Sequence, residues 1–152
     1  MIAVHVHLLL SHAPTLVILI GCGLLIIGAW LKSEDLKKAG LGVFVLGALV
    51  VLPLYLTGDP AQDAVKGLPA VSDRILDQHQ AMAAIALVSA LFLGVLAGAG
   101  FLLFGRAKPV AFWFICAAVV VSLLTSGLLA WTANLGGQIR HSEIRPLTAP
   151  QN

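Results

Sequence analysis

AMAAIALVSALFLGVLAGAGFLLF, residues 81–104, decides the fold. The stretch carries no charge, and Ser89 is its one polar side chain. About 20 apolar residues wound as a helix cross a bilayer core. The run is continuous rather than alternating, so it does not read as a barrel strand. Lipid offers no hydrogen bonds to the backbone, which forces each span to satisfy its own N–H and C=O groups as a helix. Working outward, three more runs of this kind occupy 13–31, 39–56 and 110–133. The expected fold class is all-α: an integral-membrane, up-down four-helix bundle forming one domain over residues 1–152. Glycines recur in the spans, and Gly94-x-x-x-Gly98 is a close-packing signal.

Composition agrees with that reading. The chain is 59 % hydrophobic and 11 % charged, too little charge to keep a soluble surface in water. A net charge of +2 without a basic patch points away from nucleic acid. Cys22 and Cys116 lie inside apolar runs and form no C-x-x-C-H, so covalent haem attachment is not expected and both read as inert thiols. The N-terminus lacks a basic n-region, so the first apolar stretch reads as a span rather than a cleaved signal.

The loops set the expected orientation. KSEDLKK (32–38) holds three lysines, and GRAK (105–108) an arginine and a lysine. Both belong on the cytoplasmic side by the positive-inside rule. The 57–78 stretch, TGDPAQDAVKGLPAVSDRILDQ, holds four aspartates against two basic residues and belongs outside. Both termini then lie on the periplasmic side of a bacterial inner membrane. The two arginines of the C-terminal tail argue mildly the other way and are outvoted by the two short loops. The third helix is expected to start before the lipid, with Ser72 as N-cap and Asp73 in its first turn. The fourth is expected to continue past Trp131 into GGQIRH.

All five histidines, His5, His7, His12, His79 and His141, fall at the outer end of this arrangement. At about 1.5 Å per residue, His79 stands roughly 27 residues above the 105–108 turn. The same height falls near Asn134 to Gly136 on the fourth helix, and near His7 and Leu8 if the first segment stays helical. His12 lies roughly 7 Å deeper and His141 roughly 10 Å higher. A non-covalent b-type haem needs two imidazoles on opposite faces, small residues where a helix meets the ring, and donors for its propionates. His79 is the first candidate ligand. Its partner is His12 or His141, or His7 if the first helix extends upward. Gly136 and Gly137 remove side chains at a suitable height, Arg140 and Arg145 suit propionates, and Trp131 suits stacking or interfacial anchoring. Five histidines would suffice for a second haem.

Plainer roles compete with each assignment. His5 and His7 suit the headgroup region as ordinary polar residues, and His12 can cap the helix that Pro14 begins. Gly136-Gly137 can end the fourth helix, and Arg140 and Arg145 can meet lipid phosphates. A zinc or copper site built from His79, His12 and His141 with Glu143 or an aspartate is weaker, because no short ligand motif is present. Ser11, Thr57 and Ser142 have no partner set for nucleophilic catalysis. The spans lack the charged residues of a transport pathway.

Four stretches carry a resemblance: HLLLSHAPTL (7–16), YLTGDPA (55–61), ILDQHQAMA (75–83) and ANLGGQIRHSEI (133–144). Together they resemble a family of largely uncharacterised bacterial four-helix inner-membrane proteins. That family has H-x-P before the first helix, a T-G turn after the second, a histidine opening the third and a G-G element after the fourth. The resemblance covers nearly the whole chain. It implies the four-helix fold and matches His12, His79 and His141 to the family's recurring histidines. An acidic residue often follows the third-helix histidine there. Here the position is Gln80, which weakens a proton-relay role. The expected function is a membrane electron-transfer protein or respiratory-complex subunit binding haem b, with membrane or periplasmic redox subunits as partners. The alternative is a non-haem accessory or scaffold subunit with a polar periplasmic docking face. No catalytic residue set is visible, so an electron-transfer or accessory subunit is expected ahead of an independent enzyme.

Overall fold

A computed structural model describes residues 2–68, 71–105 and 108–141. The described residues form helices joined by turns and contain no strand. The elements are α1 (Ile2–Leu10), α2 (Ala13–Trp30), α3 (Glu34–Leu56), α4 (Gly58–Asp63), α5 (Asp73–Phe104) and α6 (Phe112–Arg140). α2, α3, α5 and α6 are the four long apolar helices. Each packs on two neighbours, in the cyclic order α2, α3, α5, α6 and back to α2. Each belongs to a helical stretch long and apolar enough to cross a membrane.

Local chemistry explains the boundaries. Ser33 opens α3 with extended backbone, and its hydroxyl stands 3.4 Å from Leu36 N, a long cap contact. Glu34 and Asp35 follow in the first turn, where the helix dipole favours negative charge. Gly105, at φ 43°, stops α5 with backbone that glycine adopts without strain. α5 begins at Asp73 behind Ser72, as the sequence predicts, but the Ser72 side chain makes no cap hydrogen bond. α6 runs through Gly136 and Gly137 and ends at Arg140, so the glycine pair does not end the helix. His12 stands at the N-cap of α2 without a side-chain cap bond.

The core is a column of Ile18, Leu25, Leu41, Phe44, Leu93 and Phe114, all fully buried. α2 and α3 approach backbone to backbone at Gly21 and Gly40. A Cβ on Gly40 would stand 2.8 Å from Gly21 O, so no larger residue fits that crossing. Of the Gly94/Gly98 pair only Gly94 packs, against Ala48, whereas a Cβ on Gly98 would meet nothing within 4 Å. The bundle surface is apolar: Leu102 is 89 % exposed, Trp30 81 % and Val95 71 %. A water-facing surface of this kind would aggregate.

The two ends differ. The lysine end carries Lys32, Lys37, Lys38 and Lys108 at the α2–α3 and α5–α6 turns. Glu34 joins these turns, reaching Lys37 Nζ at 2.6 Å and accepting from Val110 N at 2.8 Å. The opposite, histidine end is where α1 and α4 pack on each other and on the last turns of α3.

Candidate functional site

Two histidine rings meet at the histidine end. His79 stands in the second turn of α5 and His7 in the second turn of α1. Their centroids are 6.4 Å apart, with the planes at 78°. Both rings are half-buried.

Each ring is fixed by the same chemistry. His79 Nδ1 lies 2.9 Å from Thr132 O on α6. His7 Nδ1 lies 3.1 Å from Leu54 O on α3. A carbonyl oxygen can only accept, so Nδ1 donates in both cases and Nε2 is left as the lone-pair nitrogen. That tautomer is the one in which an imidazole binds a metal through Nε2, with its other nitrogen held by an outer partner.

The backbone explains why those carbonyls are available. Leu54 lies within the last four residues of α3, whose carbonyls have no partner further along the helix. The negative end of the helix dipole also favours a donor there. Thr57 completes this helix end: its hydroxyl lies 2.8 Å from Pro53 O and 3.0 Å from Leu54 O, and 3.4 Å from His7 Nδ1. Thr132 lies in mid-helix, where its carbonyl points along the axis toward residue 136. A side chain there would stand in the way of His79: a Cβ on Gly136 would come 3.2 Å from Cε1 and 3.5 Å from Nδ1. Gly136 therefore makes room for the His79–Thr132 bond. A second glycine, Gly58, faces the other ring, its absent Cβ being 3.7 Å from His7 Cε1. Asp59 accepts from Gln80 Nε2 at 3.2 Å, tying α4 to the residue after His79.

The other residues expected from the sequence are placed differently. His12 is exposed at the α1–α2 junction, with Nδ1 3.0 Å from Ser11 Oγ. His141 is exposed just after α6, and its N–H donates to Gly137 O at 3.0 Å. The neighbour of the His79 ring is thus His7. Gly137 is half-buried one position beyond Gly136. Trp131, 58 % exposed, precedes the carbonyl-bearing Thr132. Arg140 is the last residue of α6. Arg145, Glu143 and Ser142 lie outside the described residues. Among the described residues no three His, Cys, Asp or Glu side chains gather to hold a metal ion.

The spacing of Thr57 in the sequence does not connect it to His7. The T-G step at 57–58, one of the stretches that carry the resemblance, was the available signal. Compared with family models, curated proteins and solved structures, the chain gives no match in any of the three.

Proposed function

We propose that the chain is a multi-pass protein of a bacterial inner membrane that carries electrons on b-type haem, which His7 and His79 would hold. The observation that carries this reading is the pair itself: two imidazoles, each with Nδ1 on a main-chain carbonyl and Nε2 left for a metal. The ring centres lie 6.4 Å apart, close enough for both imidazoles to serve one group. His7 and His79 would hold the group through their Nε2 atoms, the nitrogens that the carbonyl bonds leave open. Haem supplies one-electron exchange between ferric and ferrous iron. The chain's own part is to hold both rings in one tautomer, at one spacing and partly shielded from water.

The membrane setting has separate support. α5 has 32 residues, about 48 Å at 1.5 Å per residue, against a hydrocarbon core of about 30 Å. Its first turns, with Asp73, Arg74 and Asp77, then stand clear of the lipid, and His79 lies at the boundary. Exposed aromatics mark two levels, Trp30 and Trp113 at the lysine end and Tyr55 and Trp131 at the histidine end, as interfacial belts do. Tyr55 and Trp131 are the chain neighbours of the two carbonyl residues that hold the histidines. The basic turns favour a cytoplasmic lysine end, with the site on the periplasmic side. Partners there are other membrane or periplasmic redox subunits.

The test is a reduced-minus-oxidised absorption spectrum of the detergent-purified protein, with a pyridine haemochrome assay. A sharp b-type α-band is expected, lost in His79→Ala and His7→Ala and kept in His12→Ala and His141→Ala. A flat spectrum from protein made with ample haem would sink the reading. It would leave the scaffold role, in which altering the 57–78 stretch removes a bound partner.

A further inference from the structure

Leu54 O is approached by two donors at once. His7 Nδ1 lies 3.1 Å from it and the Thr57 hydroxyl 3.0 Å. The same hydroxyl reaches Pro53 O at 2.8 Å, so its single proton is shared between two carbonyls of the last turn of α3. Its own separation from His7 Nδ1, 3.4 Å, is beyond the usual range for an N–H···O bond. Thr57 thus acts on His7 through the acceptor they have in common rather than by direct contact.

We infer that Thr57 is a tuning residue for His7, weakening the His7–Leu54 hydrogen bond by drawing on the same carbonyl and so holding the site's redox potential above the value it would otherwise have. The potential part rests on the haem reading; the hydrogen-bond part does not. A hydrogen bond from the distal nitrogen makes an imidazole a stronger donor to its metal. A stronger donor favours ferric over ferrous iron, and such bonds are among the levers that set haem potentials. A hydroxyl competing for the acceptor works in the opposite sense. His79 has no counterpart of this arrangement among the described residues: Thr132 Oγ1 donates to Leu128 O at 2.8 Å, away from the carbonyl that His79 uses. His7 and His79 are therefore anchored unequally, and Thr57 acts on one of them.

The test compares wild type, Thr57→Val and Thr57→Ser. Valine keeps the shape and removes the hydroxyl; serine keeps the hydroxyl. Two readouts are taken: the midpoint potential of the haem-loaded protein, and the His7 Nδ1–H proton resonance of haem-free protein carrying ¹⁵N-histidine. The expected result is a lower potential and a downfield-shifted resonance in Thr57→Val, with Thr57→Ser at the wild-type values. A Thr57→Val protein with an unchanged or raised potential, or an unmoved resonance, overturns the inference. If the wild type takes up no haem, the electron-transfer reading and the claim on the potential both fail. The resonance then decides by itself whether Thr57 competes for Leu54 O.

Discussion

Gly136→Ala separates a packing role from a site role more cleanly than loss of a histidine does. The new Cβ would stand 3.2 Å from His79 Cε1 and 3.5 Å from Nδ1. Relaxed contacts between carbons begin at about 3.5 Å, so the ring must retreat by about 0.3–0.5 Å. A retreat of that size away from α6 stretches the 2.9 Å bond to Thr132 O to about 3.2–3.4 Å, at or past the edge of the useful range. The lost bond costs about 0.5–1.5 kcal/mol. Replacing a mid-helix glycine by alanine returns up to about 1 kcal/mol. The two nearly cancel, so the thermal midpoint of the haem-free protein should move little. On the proposed haem reading, retention should not be spared, because loss of an outer-shell partner typically weakens metal binding by about 10–100-fold. The assay is haem transfer to an acceptor apoprotein, followed beside thermal unfolding. A Gly136→Ala protein that keeps wild-type haem affinity and spectrum would refute the account of the glycine. One that unfolds outright would show that Gly136 serves the α5–α6 contact and not the histidine.

Two further outcomes concern the frame around the site. Glu34→Ala should lower stability by about 1–3 kcal/mol, since it orphans the buried Val110 N–H and leaves the Lys37 ammonium, 11 % exposed, without its partner; Glu34→Ala/Lys37→Met should recover part of the loss in a denaturation series, and no recovery would count against the pairing. Ser126 Oγ is buried without a hydrogen-bond partner among the described residues, so Ser126→Ala should be neutral or stabilising by up to about 1 kcal/mol; a lower thermal midpoint would show that the hydroxyl has a partner.

The four long helices were legible because hydropathy alone specifies them: a run such as 110–133 has no alternative in lipid. The short ones were less so. α4 arises from GDPAQD, which sequence reasoning took only as part of a solvated acidic loop. Asp59 and Pro60 sit in its first turn, the place where an acidic residue and proline favour a helix start. α1 was contingent, since nine residues are too few to hold a helix by themselves. It packs on α4 and on the end of α3, contacts that no local pattern announces.

The site divides along the same line. Rise per residue puts His7, His79 and Gly136 at one height, and the structure has His79 against both of the others. Height does not give azimuth. Each residue turns a helix by 100°, and the chain breaks at Ser11-His12, so the choice between His7 and His12 could not be made from spacing. The anchoring carbonyls were hidden for a different reason. Every residue has a carbonyl, and one becomes available only where a helix stops or where a missing side chain opens a way to it. Leu54 O is open because α3 ends two residues later, at the Thr57-Gly58 step where α4 turns away. The T-G dipeptide is thus the sequence trace of the His7 anchor. Gly136 is the trace of the other: it does not end α6 but leaves the space through which a ring reaches a carbonyl in the middle of a helix. One glycine step creates an acceptor by stopping a helix. The other exposes an acceptor while the helix continues. The paired rings need both.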